Sequence, residues 1–170
     1  MTAFDAGAVV VATAACVTDL RSARIPNALT VFAAAVGLVA HATWPQGLGA
    51  ATSLGGAVAG LLVFLPFFAL GGMGGGDVKL MTALGAWLGW PRILPAALTI
   101  AVVGGVVAVL VALSRGYLRQ ALRNIRGLLQ LWWTTGMRPE PTLTLAHDRA
   151  PRLPYAVPVL LGLLVTLWRQ

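Results

Sequence analysis

Acidic side chains are scarce in this sequence. Asp and Glu number five in 170 residues against twelve Lys and Arg, and all charged types together make up 10%. Soluble domains usually carry about 25% charge, so this chain cannot cover a water-facing globule with polar surface. Cysteine occurs once, as Cys16, which excludes an intramolecular disulfide and a Cys-x-x-Cys zinc site. A small apolar packing role suits it. The two histidines stand alone, without a second ligand at metal spacing: His41 reads as interfacial and His147 as a loop residue. Nothing in this residue content implies a metal or a cofactor. The net charge of +7 does not point to nucleic acid either, because a basic groove interleaved with stacking aromatics is missing.

Apolar residues fill the space that charge leaves. They make up 58% of the chain, and mean hydropathy is +0.84. Six apolar stretches can be drawn, at 4–18, 28–44, 48–70, 78–90, 93–113 and 153–168. About 20 residues cross a bilayer core, so the first and fourth are short. Pro45, Gly47, Pro91 and the glycine run at 71–76 mark breaks. The first stretch carries Asp5 and has no basic segment before it, which argues for a retained helix and not a cleaved signal. The expectation is an all-α membrane protein of about six transmembrane helices, forming one integral membrane domain over 1–170.

Orientation follows from the basic residues. Links after spans one, three and five hold Arg21, Arg24, Lys79, Arg115, Arg119, Arg123, Arg126, Arg138, Arg149 and Arg152; the other side holds Arg92 and Arg169. Positive residues stay cytoplasmic. Both termini are therefore expected outside, and the glycine-rich loop inside.

The five acids can be weighed one by one. Asp5 lies near the outer end of span one, while Glu140 and Asp148 suit a solvated link. Asp19 and Asp77 differ. Counted from Phe4 and from Trp90, they lie 15 and 13 residues inward, roughly 22 Å and 20 Å at the helical rise. Both carboxyls would then sit at similar depth, just below the cytoplasmic face, where ionisable groups are functional candidates. Two carboxyls in one low-dielectric site tend to share a proton. Such a pair can take a proton from water and give one to a scissile carbonyl. Interfacial ion pairs, Asp19 with Arg21 or Arg24 and Asp77 with Lys79, are the plainer alternative. The glycines before Asp77 would let another chain approach closely, or would simply form a flexible loop.

Three motifs in order now resemble a known family, the type IV prepilin peptidases, membrane aspartic proteases of the GxGD type. They are "DLRSARIPN" from Asp19, "GGGDVK" with Gly74, Gly76, Asp77 and Lys79, and "LPYAVPVLLG" with Pro154 and Tyr155. The resemblance implies that Asp19 and Asp77 are the catalytic dyad. It also implies cleavage of basic leader peptides from prepilins or pseudopilins, typically after glycine, at the cytoplasmic face of the bacterial inner membrane. That activity would serve type IV pilus assembly and secretion. Larger members carry paired cysteines in an N-terminal segment and also methylate the product. This chain, with Cys16 alone, is similar to the short protease-only forms of tight-adherence (Flp) systems. Presenilin-like enzymes fit less well, since Thr18 precedes Asp19 and the late motif is Pro154-Tyr155-Ala156-Val157-Pro158.

Around this core, Pro26 turns the chain and Asn27 is expected to cap the second helix. Lys79 is expected to snorkel to the interface. Residues 114–136, within a basic link at about 114–152, carry Arg115, Arg119, Arg123 and Arg126 on one face. Leu118, Leu122, Ile125, Leu129 and Trp132 lie on another, as in a helix on an anionic leaflet. Expected partners are a prepilin-like substrate and the lipid bilayer, with no nucleic acid. A non-enzymatic membrane protein, either a small proton-coupled transporter or a pilus-assembly scaffold, is the competing reading. A transporter would hold its essential charges nearer the midplane.

Overall fold

Helix α1 (Ala3–Ser22) begins with a reciprocal cap. Thr2 Oγ1 accepts the Asp5 N–H at 3.2 Å, and the Thr2 N–H donates to Asp5 Oδ2 at 2.7 Å. It stops at Ala23, whose left-handed φ of 50° turns its N–H onto Asp19 O. Pro26 then fixes the entry to α2 (Asn27–Thr43), followed by α3 (Ala50–Ala69), α4 (Gly75–Leu88), α5 (Ile93–Ser114), α6 (Leu118–Thr135) and α7 (Ala156–Trp168). This is a computed structural model, and it describes residues 2–70, 73–116, 118–135 and 154–169. The readings of His147, Glu140, Asp148, Arg138, Arg149 and Arg152 lie outside the described residues. No strand occurs among the described residues.

Helices α1, α3 and α5 are long and apolar enough to cross a membrane, whereas α2 and α7 are shorter apolar helices. Helix α4, at 14 residues, is the centre. It packs on α1, α2, α3 and α5, and Leu80, Met81, Leu84 and Leu88 are buried. A helix apolar all round belongs in an interior. Lipid offers no hydrophobic drive for helix association, so close backbone approach and hydrogen bonds must hold such a bundle. Both occur between α3 and α4. A Cβ on Gly56 would strike Gly85 O, and one on Gly60 would strike Met81 O. Ser53 Oγ donates to Ala86 O at 2.8 Å.

At one end of the bundle, a polar cluster joins four helices. Arg92, just before α5, donates to Asp5 of α1 at 2.6 Å. His41 is buried inside the protein: its Nδ1 accepts the Leu48 N–H at 3.2 Å, which places the proton on Nε2, 2.9 Å from Trp87 O. Its ring stacks on Phe4 with centroids 4.0 Å apart. The basic amphipathic segment also begins later than position 114. Ser114 closes α5, and Gly116 at φ 73° breaks the helical path before α6 starts at Leu118.

Candidate active site

The opposite end of the bundle gathers the motif residues. The last turn of α1 supplies Asp19, and the first turn of α4 supplies Asp77. Both line one cavity of about 590 Å³, together with residues 22–27, Gly74 and Gly76. Each carboxyl is half-buried, and Asp77 lies within reach of the Asp19 charge. Pro26 and Asn27 form part of the rim.

Asp19 is held from a third direction. The backbone N–H of Ala156, the first residue of α7, donates to Asp19 Oδ2 at 3.2 Å across 137 positions. This explains where the "LPYA" segment goes. Pro154 O accepts the Val157 N–H at 3.2 Å, beginning the helix. The Tyr155 ring lies against α5 at Gly104, where a Cβ would come within 3.0 Å of the phenol oxygen. Neither Pro154 nor Tyr155 lines the cavity, although Tyr155 lies within electrostatic reach of Asp77.

The glycines act through what they omit. A Cβ on Gly74 would sit 3.0 Å from Asp77 Oδ2, and one on Gly76 would sit 3.3 Å from the Ile25 Cβ. The first leaves room beside a carboxylate, and the second lets α4 close on the α1–α2 turn. Asp77 N–H donates to Gly74 O at 3.1 Å, fixing the turn.

The anticipated interfacial ion pairs are not formed. Among the described residues neither aspartate has a Lys or Arg within ion-pair distance. Lys79 Nζ instead donates to Asn27 Oδ1 at 2.8 Å, tying the second motif to the first. Asn27 correspondingly does not cap α2: Pro26 occupies the cap position, and no side chain bonds there. The sequence reading missed the Ala156 donor, which has no side-chain signature, and Gly104, which reads as one more small residue of an apolar run.

A model of the type IV leader peptidase family matches residues 6–110, which include both aspartates. The chain is 36% identical over 108 residues to proteins of Burkholderia pseudomallei strains 1026b and K96243, each named prepilin leader peptidase/N-methyltransferase. The match covers 59% of this chain and 34% of each relative, so the chain spans about a third of their length. No solved structure matches.

Proposed function

The chain belongs to the type IV leader peptidase family, and on that premise we propose that it is a membrane-embedded aspartic endopeptidase with Asp19 and Asp77 as its catalytic dyad. Its substrates are prepilin- or pseudopilin-like proteins with a basic leader, cleaved at the cytoplasmic face of the inner membrane. The carrying observation is that two carboxyls 58 positions apart line one cavity at the loop end of the bundle. Helices α1 to α5 and α7 are the six spans of this reading, with both termini outside.

The chemistry needs only the two side chains and water. One carboxylate takes a proton as the water oxygen attacks the scissile carbonyl carbon. The other, protonated, gives its proton to the carbonyl oxygen. Collapse of the tetrahedral intermediate breaks the C–N bond and passes a proton to the departing amine. Ala156 N–H donates to Asp19 Oδ2, which orients that carboxyl at the cavity wall. Gly74 keeps the space beside Asp77 open for an extended peptide.

Cleavage of a pilin precursor in liposomes tests the assignment. Asp19→Asn and Asp77→Asn keep shape while removing the proton traffic. Each single variant should lose activity by orders of magnitude, and the double variant should lose little more, as members of one catalytic unit do. Thermal unfolding, followed in parallel, should show both variants folded. A folded asparagine variant that cleaves at the parent rate removes that aspartate from the mechanism.

A further inference from the structure

Helix α6 is the element the proposed peptidase chemistry leaves unused. Arg92 at the start of α5 pairs with Asp5 of α1, so the C-terminus of α5 lies at the end where α1 delivers Asp19. The α7 N-terminus is bonded to Asp19 itself. The chain between α5 and α7 therefore leaves and re-enters at the cavity end, and α6 is attached there.

Among the described residues, α6 packs on α5. Its register is two-sided. Leu118, Leu122, Ile125 and Trp133 fall on one arc, and Leu122, Ile125 and Trp133 are exposed. Arg119, Arg123 and Arg126 flank that arc, also exposed. No acidic residue occurs from 78 to 139, so this stretch of chain supplies its arginines with no counter-charge. An apolar strip bordered by guanidinium groups, beside helices long enough to span, is complementary to a bilayer surface bearing phosphate headgroups.

We propose that α6 is a docking surface for anionic phospholipid, lying in the headgroup layer on the cavity side with Leu122, Ile125 and Trp133 inserted and its arginines on lipid phosphates. The inference needs the chain to be membrane-inserted and does not depend on peptidase activity.

The test uses full-length protein with Cys16→Ser, reconstituted in phosphatidylcholine vesicles with or without about one-third phosphatidylglycerol. Single cysteines replacing Leu122 or Gln120 carry an environment-sensitive fluorophore, and iodide quenching reports their access to water. With phosphatidylglycerol, the label at 122 should be several-fold less quenched than the label at 120. The difference should shrink in pure phosphatidylcholine or at high salt. Surface attraction is worth on the order of fivefold per arginine, so Arg119→Gln/Arg123→Gln/Arg126→Gln should lower the docking equilibrium constant about 100-fold. Lipid and salt titrations on the unsubstituted arginines keep the test valid should the triple variant insert poorly. Equal quenching at 120 and 122 overturns the proposal. So does protection indifferent to lipid charge and salt, or protection that rises with protein density, which would mark a second copy as the cover.

Discussion

Lys79 and Asn27 lie on the two segments that carry the aspartates, and their 2.8 Å contact is a charge-assisted bond at an exposed site. Such a bond contributes about 1 kcal/mol. Lys79→Met and Asn27→Ala should each lower peptide cleavage modestly, far less than loss of either aspartate. A double-mutant cycle should return a coupling of roughly 0.5–1 kcal/mol; additive losses would mean that the contact does nothing for the site. His41 is a sterner case because both ring nitrogens are used in a buried setting. His41→Leu leaves the Leu48 N–H and Trp87 O without their partner, costing roughly 2–3 kcal/mol, measurable as a drop in thermal midpoint in detergent. The convergence of Asp19 and Asp77 was legible in the sequence, because counting helical rise from each outer boundary places both carboxyls at one depth. The donors to Asp19 and His41 were not legible. They are backbone N–H groups, which nearly every residue owns, and only tertiary structure selects which one arrives.

At the scale of elements, the six apolar stretches correspond to α1, α2, α3, α4, α5 and α7, since long apolar runs bounded by Pro and Gly leave few other choices. What composition did not reveal was how closely α3 and α4 approach, because glycines in an apolar run look alike. The spacing of Gly56 and Gly60, four positions apart on one face, was the available signal. Their effects should separate cleanly from those of other glycines. Gly60→Ala puts a methyl group on Met81 O and should cost about 1–3 kcal/mol through forced separation of the helices. Gly105→Ala meets nothing within 4 Å and should be neutral, or stabilising by up to about 1 kcal/mol from helix propensity. Denaturant titration in micelles would rank the two, and equal effects would refute close approach as the organising contact. The same method applies to Arg92→Met, which removes the cation from the buried Asp5 carboxylate and leaves it the Thr2 N–H, and which should cost about 1–3 kcal/mol.

The whole molecule is polarised along its helices. One end holds the Asp5–Arg92 ion pair and the buried His41, and the other holds the cavity, Lys79 and the arginines of α6. Basic residues resist translocation, so the cavity end should face the cytoplasm, where a leader peptidase would meet its substrate before export. Gln46, exposed between α2 and α3, and Gln120, exposed on α6, report the two ends. With Cys16→Ser as background, a cysteine at 46 should react with a membrane-impermeant maleimide in intact spheroplasts, and one at 120 only after lysis. Reaction of both before lysis would mean that α6 lies outside. Reversed accessibility would put Asp19 and Asp77 on the side a newly made precursor cannot reach, and the peptidase proposal would fail even if both carboxyls share one cavity.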